Sequence, residues 1–251
     1  MISKNKIKYI RSLGQKKNRD AENVFIAEGP KVVGDLMGYF DCLMLLGTKD
    51  YLENNSNKIV NNFYEITQKE LEQISQLKAP RDVFAIFSKT RIKAQEHPDL
   101  LKDLILVLDD VQDPGNLGTI IRIADWFGVK HIICSLHSAD AFSPKVVQAT
   151  MGALARVNIT YTSINEFLEE INKSIPVYGT YLDGENIYSK PLTPNGIIVM
   201  GNEGNGIHKD LEKFITNRLY LPNYPVGVKT SESLNVAVAT AITCAEFRRR
   251  M

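Results

Sequence analysis

Three kinds of protein are excluded by what this chain has little of. Cysteine is scarce: Cys42, Cys134 and Cys244 are odd in number and far apart among 251 residues. That argues against a disulfide framework or a cysteine zinc site and fits buried thiols in a reducing compartment. Long apolar runs are missing, the longest, such as Leu104 to Leu108, being five residues, far short of a membrane span. The amino terminus, MISKNKIKYIRSLG, carries charge without the apolar stretch of a signal peptide. Charge of one sign in excess is also absent, since 30 basic against 29 acidic side chains leave a net +1. Any affinity for nucleic acid must therefore come from local clustering. The expectation is a soluble, cytoplasmic protein with no membrane association. With 44% hydrophobic and 24% charged residues the chain has ordinary globular composition, and its length suits one large or two modest domains.

What is present is uneven. Lys4, Lys6, Lys8, Arg11, Lys16, Lys17 and Arg19 crowd the start, opposed there only by Asp20. Ile7, Ile10 and Leu13 recur at three-residue spacing, which predicts a short amphipathic helix ended by Gly14. Such a run is either a solvated helix face or a phosphate-contacting arm. Strands are expected at Val24–Glu28, Cys42–Leu46 and Val83–Phe87, a helix opens at Pro30, and Thr67-Gln-Lys-Glu70 is a capping box. The polar stretch Ser88–Asp103 reads as a linker between domains at 1–95 and 96–251.

Beyond it, apolar strands at Leu104–Leu108, His131–Cys134, Arg156–Thr160, Val177–Thr180, Ile197–Met200 and Arg218–Leu221 alternate with helical patterns. Those patterns are Leu117–Phe127, Pro144–Ala153, a capping box Ser163–Glu166 leading to Ile171, Leu211–Ile215, and Leu234 to Arg250. Alternation of this kind means an α/β domain whose mostly parallel sheet is covered by helices on both faces.

Loops after the strands of such a sheet are where ligands bind, and three are unusual. The first, Asp109-Asp-Val-Gln-Asp-Pro-Gly-Asn-Leu-Gly-Thr-Ile-Ile-Arg122, places Asn116 and Gly118 at a tight turn and Arg122 further along a helix. The second, Met200-Gly-Asn-Glu-Gly-Asn-Gly206, has its glycines in the wrong order for a dinucleotide fingerprint, and Glu203 would repel a pyrophosphate. The third runs from Leu221 to Asn235. Its Gly227-Val-Lys-Thr is not a P-loop, and Ser231, Ser233 and Asn235 stand where helix caps belong. His97, His131, His137 and His208 have no acidic neighbours at ligand spacing, so no metal is expected, and no G-x-S-x-G elbow supports a hydrolase. Each loop alone is explained by turns and caps.

Together and in order, the three resemble the SpoU (TrmH-like) family of RNA ribose 2′-O-methyltransferases, part of the SPOUT superfamily. Asn116-Leu-Gly118-Thr-Ile-Ile-Arg122-Ile-Ala124 looks like the family's first motif, and Val199-Met-Gly-Asn-Glu203-Gly-Asn-Gly206 like its second. Leu221-Pro222 with Ser233-Leu234-Asn235-Val-Ala-Val-Ala239 looks like the third, and Ala149-Thr-Met-Gly152-Ala matches a family helix. Arg19, Phe25, Glu28 and Gly29 are similar to the small α/β/α RNA-binding domain that precedes the catalytic one.

The resemblance implies a C-terminal domain with a deep trefoil knot, S-adenosylmethionine as cofactor, and a homodimer acting on structured rRNA or tRNA. It implies catalytic roles for Asn116, Arg122, Glu203, Ser233 and Asn235, cofactor contacts at Thr180, Gly201, Leu221 and Leu234, and RNA contacts at Lys4, Lys8, Arg11, Lys16, Lys17 and Arg19. Two departures stand out: extra residues in the third loop, including Tyr224 and Pro225, and Ile123 where a small hydroxyl residue is common. Chemically, a ribose hydroxyl must lose its proton as it attacks a methyl group. A guanidinium stays protonated and is a poor base, so Arg122 suits holding a phosphate or a developing alkoxide. Glu203 would hold Arg122 or accept the proton. The competing assignments are an RNA-binding protein that keeps the fold without catalysis, and a nucleotide-dependent metabolic enzyme.

Overall fold

The helical spacing of Ile7, Ile10 and Leu13 produces α1 (Lys4–Ser12), started by the Ser3 hydroxyl, which accepts the Lys6 N–H. In the computed structural model residues 2–55, 61–93, 97–225, 228, 231 and 233–249 are described. They fall into two units, 1–95 with 140–155, and 96–139 with 156–251.

The first unit continues through α2 (Lys16–Glu22), β1 (Val24–Glu28), α3 (Pro30–Leu36), β2 (Phe40–Gly47), α4 (Lys49–Asn54), β3 (Phe63–Glu65), α5 (Gln68–Ile74) and β4 (Val83–Arg91). Its sheet has the order β1-β4-β2-β3, with β4 antiparallel to both neighbours and β3 parallel to β2. Thr67 forms both halves of the anticipated capping box.

Two expectations fail here for physical reasons. The linker expected from Ser88 is strand as far as Arg91, because Val24 pairs with Ser88, Lys89 bonds Asp20, and Thr90 accepts from Asn23. Within that stretch, 94–96 lie outside the described residues. Arg19, expected on the phosphate-contacting arm, is only 2% exposed. Its guanidinium donates to the Leu13 and Gly14 carbonyls at 2.9 and 2.8 Å and to Asp140 at 2.6 Å. Lys4, Lys8, Arg11, Lys16 and Lys17 are exposed.

Residues 140–155 supply the rest of this unit. Phe142 joins the aromatic cluster of Phe25, Phe40 and Phe87, and Arg91 donates to the carbonyls of Leu154 and Ala155. The helix read as Pro144–Ala153 stops earlier: α7 (Pro144–Ala149) gives way at Met151 and Gly152, both left-handed, before a short 3₁₀ turn at Ala153–Ala155. A side chain at Gly152 would also strike Asp35, 2.2 Å from its first carbon.

The second unit holds β5 (Leu104–Leu108), α6 (Pro114–Trp126), β6 (His131–Cys134), β7 (Asn158–Tyr161), α8 (Ile164–Glu169), β8 (Val177–Asn186), β9 (Gly196–Met200), a 3₁₀ turn at Lys209–Phe214, β10 (Asn217–Tyr220) and α9 (Val236–Arg249). All its pairs are parallel, in the order β10-β8-β9-β5-β6-β7, and helices flank the sheet. Strands β5 and β9 are buried at every residue, the signature of central parallel strands covered on both faces. Ser163 gives half of its expected box, accepting the Glu166 N–H, and the helix ends at Glu169. Arg250, the anticipated end of the last helix, lies outside the described residues.

Burial pushes the Cys42, Cys134 and Cys244 thiols up to about 12, so they pack as small apolar groups,. Among the described residues no helix is long and apolar enough to cross a membrane.

Replacing Arg19 with alanine would strand the Asp140 carboxylate in a desolvated place. The expected loss is about 3 kcal/mol of stability, as for removal of one partner from a buried ion pair, read from urea unfolding; an unchanged midpoint would make the pair dispensable.

Candidate active site

The first of the three singled-out loops enters α6 through a side-chain cap: Asp113 accepts the Asn116 N–H at 2.8 Å, and Pro114 sits in the first turn. With Leu117, Gly118, Ile120, Ile121 and Ala124 buried, the helix cannot rotate about its axis, and the Asn116 side chain is held beside the loop after β9. That second loop closes on itself. Asn202 and Gly206 exchange backbone hydrogen bonds at 3.0 Å, and the Asn202 side-chain oxygen accepts from the N–H groups of Gly204 and Asn205. A first side-chain carbon at Gly201 would lie 2.2 Å from Gly206, so only glycine permits the closure. The result is a closed turn that pushes Glu203 outward.

The third loop ends at Asn235, whose side-chain oxygen accepts from Ala237 and Val238 N–H at 3.0 and 3.3 Å and so caps α9,. With that oxygen committed, the Asn235 NH₂ points away from the helix and donates to the Asn116 side-chain oxygen at 2.9 Å. Asn116 in turn has only its own NH₂ left, and this donates to Glu203 Oε1 at 2.7 Å. Three residues from three chain-distant loops thus form one hydrogen-bonded row ending in an exposed carboxylate.

Other predicted residues stand near or apart from this row. Thr180 on β8 donates to the Met200 sulfur at 3.8 Å, next to Gly201. Leu221 follows β10 and is half-buried, and Ser233 and Leu234 are exposed just ahead of Asn235. Gly201, Thr180 and Leu221 are thereby carried by the adjacent strands β9, β8 and β10. Gly227, Lys229 and Thr230 lie outside the described residues. Arg122 is not gathered in. It lies roughly 9 Å along α6 from Asn116 at 1.5 Å per residue, is exposed, and among the described residues pairs neither with Glu203 nor with any other acid.

Sequence reasoning missed Asn202, whose NH₂ also donates to the Asp110 carbonyl at 2.8 Å. It also missed the partner of His208. The buried Asp109 accepts both the His208 backbone N–H at 2.7 Å and the ring Nδ1 at 2.9 Å. Asp109 comes from just past the end of β5, far from His208 in the chain. The Asp109 hydrogen bond and charge hold the His208 pKa above its ordinary 6.5. A raised imidazole value means the pair's contribution to stability is complete below about 6.5 and is lost as pH rises through the raised value.

Known proteins share the sequence pattern and fold of this chain. Residues 103–245 match the SpoU rRNA Methylase family, and residues 4–85 the MRM3-like substrate binding domain. The 23S rRNA (guanosine(2553)-2′-O)-methyltransferase RlmP of Bacillus subtilis is 28% identical over 97% of this chain and 96% of its own length. Among solved structures, a TrmH-family protein from Porphyromonas gingivalis is 43% identical with a TM-score of 0.89 and covers 100% of both chains. An AdoMet-bound rRNA methyltransferase from Sinorhizobium meliloti is 30% identical with a TM-score of 0.86, covering 100% of this chain and 97% of that one.

In an NMR titration His208 should titrate above 6.5 and fall back toward that value in Asp109→Asn; an unperturbed titration in both would dissolve the pair. With its three ordered loops joined by hydrogen bonds and the family match spanning its second unit, the chain belongs to the SpoU rRNA methylase family.

Proposed function

We propose that this protein methylates the ribose 2′-oxygen of a guanosine in 23S ribosomal RNA, with S-adenosylmethionine as methyl donor. The observation that carries the proposal is the row Asn235–Asn116–Glu203. The guanosine is taken from the activity that names the Bacillus subtilis relative.

The donor set suits the cofactor. Glu203 makes the loop after β9 anionic, hostile to a dinucleotide pyrophosphate and compatible with a cationic sulfonium. S-adenosylmethionine, when bound, supplies an electrophilic methyl group. Thr180, Gly201, Leu221 and Leu234 would hold it, largely through backbone groups.

The chain's own residues do the rest. Asn116 fixes one oxygen of Glu203, leaving Oε2 to accept the 2′-hydroxyl proton as that oxygen attacks. Asn235 and Ser233 orient the ribose, so positioning supplies much of the rate. Arg122, whose guanidinium has no acidic partner among the described residues, grips an RNA phosphate and steadies charge developing on the sugar oxygen,. Lys4, Lys8, Arg11, Lys16 and Lys17 contact further phosphates.

The active form is a homodimer. Trp126 on α6 is 84% exposed, Leu234 just ahead of α9 is 49% exposed, and Val238 in its first turn is 48% exposed. These side chains are apolar surface that a partner copy would cover. The trefoil knot, a cytoplasmic location and independence from metal ions belong to the same proposal.

Mapping 2′-O-methyl groups in total RNA from cells with and without the protein should reveal one guanosine of 23S rRNA that loses its mark. Arg122→Ala should lower kcat/KM about a hundredfold or more while S-adenosylhomocysteine affinity stays unchanged by calorimetry; full turnover would remove Arg122 from the mechanism. Changing the five exposed basic residues at the amino terminus to glutamine should flatten the salt dependence of RNA binding. The log–log slope should drop by roughly 0.7 to 0.9 for each phosphate that is no longer neutralised, and an unaltered slope would make them an ordinary solvated face.

A further inference from the structure

A concavity beside the Glu203 loop takes no part in the chemistry above. It is a groove of about 320 Å³ at the C-terminal ends of β5 and β6, lined by Asp109, Asp110, Ser135, Leu136, His208 and Asp210 among others. We propose that this groove receives the target nucleobase and reads the Watson–Crick edge of guanine through Asp110 and His208, an inference that rests on the guanosine assignment above.

The groove and the catalytic row share a wall. Asn202, which shapes the Glu203 loop, donates to the Asp110 carbonyl at 2.8 Å, and the Asp109 N–H donates to the Met200 carbonyl at 2.9 Å. In this proposal a sugar held at Glu203 extends its base across that shared wall into the groove.

The polar atoms in the groove are fixed in advance. Asp109 holds the His208 ring through Nδ1, which leaves Nε2 on the side of Asp110, 4.0 Å from its Oδ2. Asp110 is tied by the Ser135 hydroxyl, which donates to its Oδ1 at 2.5 Å, and its side chain is 17% exposed. A protonated His208 thus offers a donor beside the acceptor Asp110 Oδ2. The Asp109 contact favours that protonated form.

Guanine is the base whose edge matches this order. Its O6 accepts from the imidazolium, and its adjacent N1–H and N2–H both face a carboxylate. Adenine would turn its N1 lone pair toward the carboxylate, and uracil has one donor between two acceptors. Asp109, Asp110 and Asp210 make the groove acidic, so it repels phosphate and favours a donor-rich edge. Leu136, 65% exposed at the rim, gives the base an apolar surface to lie against.

The test uses the full chain and a 23S rRNA fragment carrying the mapped nucleotide as guanosine, or as inosine, which lacks only the N2 amino group. Wild-type protein should lose about tenfold or more in kcat/KM on inosine, the scale of a hydrogen bond to a charged group. In Asp110→Asn that ratio should shrink to about twofold, with S-adenosylhomocysteine affinity unchanged. Asparagine tolerates the left-handed backbone at this position (φ 55°),, and Ser135→Ala should shift the ratio the same way by less. Equal wild-type rates on the two fragments, or the same ratio in wild type and Asp110→Asn, would overturn the base pocket while leaving the methyltransferase assignment intact. Failure of the wild type to methylate the guanosine fragment at all would instead remove the guanosine assignment, and the pocket with it.

Discussion

The polarity of one amide governs the site. Asn235 has an oxygen and an NH₂ that are nearly the same size, and nothing in its own chemistry says which faces Asn116. The start of α9 decides: two backbone N–H groups without intrahelical partners claim the oxygen,. That choice passes to Asn116, whose oxygen must accept and whose NH₂ must donate, and then to Glu203, which receives. A helix end, ordinarily a set of unsatisfied donors, here sets the direction of a hydrogen-bond row that ends in a carboxylate. An Asn235 amide turned the other way would leave α9 uncapped and confront two oxygens at Asn116.

The sheet makes such convergence possible. Parallel strands deliver their following loops to one edge, so Asn116 meets residues 87 and 119 positions further along the chain without a long excursion. Apolar burial fixes the strands, α6 and α9 pack together, and the polar side chains are left with little freedom. The closed turn around Asn202 adds a second constraint, because it joins the Glu203 loop to the end of β5 through Asp110. The Asn235–Asn116–Glu203 row and the acidic groove therefore stand on one rigid framework.

Much of this was legible in the residues. Strands β1, β5 and β6 have the bounds expected from the sequence, and Thr67 caps as its spacing requires. The order of motifs also singles out Asn116, Glu203 and Asn235, which the structure joins by hydrogen bonds. Strand β3 escaped because three residues with Phe63 exposed carry no periodicity. Arg19 was misjudged because a count of basic residues cannot tell a surface charge from one neutralised by Asp140, 121 positions away. Likewise His208 looked isolated while its carboxylate partner lay 99 residues earlier. What the chain hides is pairing at long range; what it displays is periodicity and capping.

Residues 140–155 lie in sequence between β6 and β7, yet they fold with the first unit, where Phe142 fills an aromatic cluster and Asp140 neutralises Arg19. The chain crosses between its units three times. A recombination event that exchanged the leading segment for another module would carry away the surroundings on which that short excursion depends. Front and back of this gene are thus bound to be inherited together, and drift in one must be answered by drift in the other.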